Sequence, residues 1–119
     1  MSLTLSARNT ILPTLFPGTV YIALHTGNPG DTGSANELVD SSYARQPATF
    51  TIDSGTGTAA LAAAIDFSIA TTVTLTHISI WSAATGGTAS NRQPLTAPVD
   101  VSSGTFTIAA GDITIGGAN

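Results

Sequence analysis

His25 and His77 are the two imidazoles of this sequence, which contains no cysteine and no lysine. Nucleophilic catalysis of the Ser-His-Asp kind would have to draw its base from one of them. Serines are common enough to lie near either by chance, and no Gly-x-Ser-x-Gly elbow occurs. His25 closes an apolar stretch and opens a long loop, where its ordinary role is to hydrogen-bond the turn. Metal chemistry has one candidate, the oxygen-rich run Asp31-Thr32-Gly33-Ser34-Ala35-Asn36-Glu37. It fails the EF-hand pattern, because Gly33 and Ala35 bring no ligand at the third and fifth positions. Asp and Asn side chains bonding their own backbone is the simpler reading. Glu37 and Asp40 sit close together in a loop, which fixes no facing carboxylate pair for glycoside chemistry. No catalytic, cofactor-binding or metal-ligating residue is assigned, and no cofactor is expected.

One constellation stands apart. Arginine is scarce (Arg8, Arg45 and Arg92), and Tyr43-Ala44-Arg45 places one where the long loop re-enters regular structure. Glu37 or Asp40 is its natural partner, pinning the loop by a bidentate ion pair. Trp81, at a strand end before a turn, is expected to be partly exposed and to anchor a contact. The candidate interface and loop residues are therefore His25, Asn36, Glu37, Tyr43, Arg45 and Trp81.

The elements that would position them are strands. In Leu61–Ile69 the residues Leu61, Ala63, Ile65, Phe67 and Ile69 are apolar at every second position, the period of a strand with one buried face. Thr19–His25, Tyr43–Asp53 and Val73–Trp81 read the same way. The last has apolar residues on both sides, which predicts a central strand or a bulge near His77. Ser54–Gly57, Ala84–Gly87 and Ala110–Asp112 are turns, and Ala70–Thr72 is a brief connection. Pro94 and Pro98 confine Arg92–Pro98 to a sheet edge. Val99–Val101, Thr105–Ala109 and Asp112–Ile115 complete the set. Leu3–Phe16 is the one helical stretch, with Ser6 as N-cap and Pro13 ending or kinking it. The expectation is a mainly β, jelly-roll-like β-sandwich of seven or eight strands with a short N-terminal helix. It forms one domain over residues 1–119, with an N-terminal helical arm at 1–18 and a long loop at 26–42.

Composition narrows the function. Charged residues make up 8% of the chain, against roughly 25% in ordinary soluble domains. With a net charge of −4 and no basic cluster, nucleic acid is excluded as a partner. No stretch approaches the length of a membrane span, and no secretory leader is expected. A lysine-free surface rich in Thr and Ala can be covered by neighbours at little ordering cost.

The order Val20-Tyr21-Ile22-Ala23-Leu24-His25-Thr26-Gly27-Asn28-Pro29-Gly30, Asn36-Glu37-Leu38, Tyr43-Ala44-Arg45-Gln46 and Thr76-His77-Ile78-Ser79-Ile80-Trp81 resembles a family of small virion proteins of tailed bacteriophages, often labelled tail-fibre proteins. The resemblance covers nearly the whole chain and departs from the family at Pro13, where a helix former is more usual. It implies a non-enzymatic structural protein of the virion, assembled in the bacterial host cytoplasm. Its partners would be copies of itself, a trimer among the arrangements, and the major capsid protein or tail proteins. Within that class the expectation favours a capsid decoration (cement) protein. The alternative is a tail-fibre or tail-tip component with a receptor- or glycan-binding role, using Trp81, Tyr43 and the long loop.

Overall fold

The computed structural model describes residues 4–15 and 18–116. In chain order these form α1 (Leu5–Leu15), β1 (Val20–His25), β2 (Gln46–Ala48), β3 (Phe50–Asp53), β4 (Thr58–Leu61), β5 (Ile65–Trp81), β6 (Ala89–Ile108) and β7 (Thr114–Gly116). All strand pairs are antiparallel. They make a four-stranded sheet in the order β2-β1-β5-β6 and a three-stranded sheet in the order β3-β4-β7. The mainly β class with one short N-terminal helix is as the sequence predicts. A jelly roll would need eight strands in two sheets, and this strand order does not display one.

The helix is capped earlier than expected. Thr4, not Ser6, acts as N-cap: its hydroxyl accepts the Ala7 N–H at 3.2 Å. Pro13 does not stop the helix before Leu15, because it lies in the last turn, where only one intrahelical bond is forfeited. The outer ends of the expected stretch, Leu3 and Phe16, lie outside the described residues. Asn9 ties the helix to the β3–β4 turn by donating to the Ser54 carbonyl at 2.9 Å.

Two expected single strands are each divided between the sheets. Tyr43–Asp53 splits at Thr49: β2 pairs with β1 in the larger sheet, and β3 pairs with β4 in the smaller. Leu61–Ile69 splits at Ala62-Ala63-Ala64, all exposed, so Leu61 ends β4 and Ile65 begins β5. The alternation runs unbroken across the gap, but three alanines have little side chain to bury and weak strand preference.

The opposite correction applies further on. Ala70–Thr72 is no connection but a bulge inside the 17-residue β5, and what read as three separate strands after Thr88 is the 20-residue β6. The bulge survives because the Asp40 carboxylate accepts the amides of Ala70 and Thr71 at 3.0 Å and the Thr71 hydroxyl at 2.8 Å. A second register shift falls between Leu75 and His77, as expected, and β5 is central. β6 is an edge strand, with Pro94 and Pro98 exposed on it.

Both sheets feed one hydrophobic cluster. Ile22, Leu24, Phe67, Leu75, Ile78 and Ile80 come from the larger sheet, and Ala59 and Leu61 from the smaller. Tyr43, Phe67 and Phe106 line up through this core at ring separations of 6.3 and 6.4 Å.

Asp40 leads to a pH prediction. The amides of Ser42 and then Ala70 hold its carboxyl down to about 2. A depressed carboxyl contributes stability above its ordinary value of 3.8, and that contribution is lost as pH falls toward 2. Asp40→Asn is expected to lower Tm at pH 7 and to flatten its decline between pH 4 and 2, read by thermal melts across that range.

Candidate functional site

The long loop behaves as a missing strand. β2 ends its pairing with β1 at Ile22, which leaves the Leu24 amide and carbonyl without a ladder partner on that side. The Leu38 N–H donates to the Leu24 carbonyl at 2.9 Å, and the Leu24 N–H donates to the Tyr43 hydroxyl at 3.1 Å. A single bridge joins His25 to Glu37. Asn36, at a positive φ of 60°, turns the chain there. Its amide nitrogen donates to the Asn28 carbonyl at 3.0 Å. Left-handed backbone is among the conformations asparagine tolerates best.

Around this substitute strand five of the six predicted residues converge, and Asn36 shapes the turn beside them. Arg45 meets Glu37 through two parallel bonds, Nε to Oε2 and Nη2 to Oε1, both 2.9 Å. The Tyr43 hydroxyl donates to the same Oε2 at 2.8 Å. The guanidinium lies 3.9 Å from the centroid of the Trp81 ring and donates to the Ala83 and Gly86 carbonyls at 3.3 and 3.0 Å. Arg45 thus fastens the loop to the β5–β6 hairpin. Burial pushes the Glu37 carboxyl up, but the bonds from Arg45 and Tyr43 outweigh it and the net shift is downward. Burial, reinforced by the bond to Glu37, raises the Tyr43 phenol. Of the two acids proposed for Arg45, Glu37 is the partner, and Asp40 is committed to the β5 bulge.

Trp81 is a correction: it is buried, at 6% exposure, because Arg45 covers its face. Gly33, at φ +77°, lies so near that an added Cβ would stand 2.5 Å from Ala89 Cβ and 3.5 Å from the Trp81 ring. The tryptophan is packed, and no aromatic platform is available there for a sugar.

Among the described residues, His25 and Ser79 form the pairing that resembles a catalytic dyad, with Nε2 2.7 Å from Oγ. Both residues are fully buried. The other ring nitrogen, Nδ1, lies 2.8 Å from the Ala35 carbonyl and must donate to it. Nε2 therefore accepts from the Ser79 hydroxyl, which in turn accepts the Trp81 indole N–H at 2.6 Å. This relay is complete only with a neutral imidazole. Its serine has no route to a substrate and its histidine has no orienting carboxylate, so it works as an internal brace. His77 hydrogen-bonds its own neighbour, the Thr76 hydroxyl, at 2.8 Å.

Sequence reasoning missed Ser79 and Asn28, and weighed Asp40 as a partner for Arg45 and not as the acceptor for the β5 bulge. Asn28 Oδ1 accepts from Arg92 at 3.1 Å beside the exposed Arg92–Asp31 pair, also 3.1 Å. Neither Ser79 nor Asn28 stands out by type or spacing, and only the fold shows that Ser79 is enclosed and that Asn28, though exposed, meets Arg92. The two carboxylates of the calcium candidate are engaged in ion pairs, Asp31 with Arg92 and Glu37 with Arg45.

Burial lowers the His25 pKa below its ordinary 6.5. A histidine depressed by folding contributes stability that is intact above that value and fades as pH drops below it. Stability is expected to fall as pH goes from 7 toward 5. The non-titrating His25→Gln, less stable at pH 7, should lose that slope in denaturant titrations.

The class defined by this arrangement is a mainly β protein in which His25, Ser79, Glu37, Tyr43 and Arg45 brace a loop. Over residues 5–116 the chain matches the family described as podophage GP4 fiber I protein gp80, and it belongs to that family. It is accordingly a phage fibre protein, a structural part of the virion. No match was found among curated proteins. The family is one of fibres and not of capsid cements, which reverses the order of preference drawn from sequence.

Proposed function

We propose that this chain is a rigid, non-enzymatic unit of a tail fibre that assembles with other tail or fibre proteins and with copies of itself. The observation that carries the reading is the fibre-family match over residues 5–116. The site agrees with it, since His25, Ser79, Glu37, Tyr43 and Arg45 all bond one another or the backbone. The single cluster shared by both sheets supports a sandwich-like packing that keeps the unit stiff. Its surface offers neighbours a hydroxyl-rich ribbon, on which Thr74 donates to Asp100 and Thr107 to Asp66, both at 2.6 Å.

Immunogold labelling of intact particles tests the placement. Gold is expected on the fibres; gold on the shell would return the protein to capsid decoration.

A further inference from the structure

The two sheets end unequally. At one flank the chain passes directly from β2 to β3 through Thr49, joining the sheets. At the other, the 20-residue β6 closes the larger sheet and the three-residue β7 closes the smaller. So short a strand leaves much of the inner face of β6 uncovered. A groove of about 480 Å³ lies there, lined by Leu95, Val99 and Phe106 of β6, with Ile78 of β5 and Asp112 and Ile113 at the turn into β7. Leu95, Val99 and Phe106 are half-buried, packed on the core from one side.

What fills such a groove is set by its edges. Among the described strands β7 pairs only with β4, so its other edge keeps its backbone donors and acceptors. An open edge is a template for one more strand, and a strand laid there turns alternate side chains toward the apolar face. The β6 edge suits this less, since Pro94 and Pro98 remove two of its donors.

Charge decides whose strand it is. Asp112 lines the groove. The two described arginine side chains, Arg45 and Arg92, are already paired with Glu37 and Asp31. A second copy would bring a net charge of −4 and no lysine. We propose that the groove receives an extended β-strand of a different protein, apolar on the residues facing Leu95, Val99 and Phe106 and carrying lysine or arginine against Asp112.

The test uses the intact protein and an end-blocked, labelled peptide of about nine residues, within the usual range of strand lengths, alternating valine and lysine. Its twin has glutamate for lysine, and binding is read by fluorescence anisotropy. The lysine peptide is expected to bind and the glutamate peptide to bind far more weakly. Asp112→Asn should weaken the lysine peptide about threefold, the scale of one exposed ion pair. Ala97, exposed on the groove lining, can be enlarged without disturbing the core, so Ala97→Trp should abolish binding. Should that variant not fold, Ala97→Arg is expected to repel the lysine peptide. Amide exchange at Thr114 should slow on binding. Equal binding of both peptides, or no binding of the lysine peptide, would overturn the proposal. So would self-association in sedimentation that Ala97→Trp removes, because it would give the groove to a second copy.

Discussion

Glu37→Ala is expected to destabilise the protein by about 3 kcal/mol, the low end for breaking one half of a buried ion pair. On a chain of this size that lowers Tm by roughly 10–15 °C. Three facts place the effect this high for one loop residue. The side chains are only 10% (Arg45) and 24% (Glu37) exposed, so little water replaces the lost carboxylate. Arg45 would then lie over Trp81 with two of its bonds gone. The Tyr43 hydroxyl, which supports the Leu24 amide, would lose its acceptor. Glu37→Gln keeps the shape without the charge and is expected to lose about half as much, since bonds to a charged partner are roughly twice as strong. Thermal melts of Glu37→Ala, Arg45→Ala and the double variant should give a coupling of about 2 kcal/mol. A coupling near zero would mean the pair is a solvated surface contact.

That pair was readable from the sequence because its signals are scarce. Three arginines and one glutamate leave few combinations, and Arg45 stands where a Gly- and Asn-rich run gives way to alternation. Strand alternation was equally readable, but where strands stop was not. The apolar period of Leu61–Ile69 continues through Ala62–Ala64 although the chain changes sheets there, because alternation records which face is buried and not which sheet buries it. The reverse error at Ala70–Thr72 has a remote cause. Those residues look like a connection, yet Asp40, thirty positions earlier, satisfies their amides and lets β5 run on. Trp81 was misjudged for a similar reason. A tryptophan before a turn is exposed unless something folds over it, and what folds over it, Arg45 and Gly33, comes from a loop whose path no local pattern encodes.

Trp81→Ala is expected to cost about 4 kcal/mol, within the range for truncating a buried aromatic, and so to lower Tm by 15 °C or more. The ring does three things at once. It occupies the seam between the loop and the β5–β6 hairpin, where Gly33 leaves room for it. It receives the Arg45 guanidinium on its face. Its N–H fixes the Ser79 hydroxyl in the direction that His25 needs. Trp81→Phe separates these roles: it retains most of the packing and a weaker cation–π contact but leaves Ser79 without its donor. That variant should lose about 1–2 kcal/mol, with the larger share from the hydroxyl's missing partner. Because Trp81 is the sole tryptophan, its emission also reports the state of the seam in the native protein. Emission should be blue-shifted and poorly quenched by acrylamide, and Glu37→Ala should shift it red before the rest of the chain unfolds. A red-shifted, freely quenched tryptophan together with an unchanged Tm for Trp81→Ala would place the ring on the surface. The loop would then be held by something other than this network.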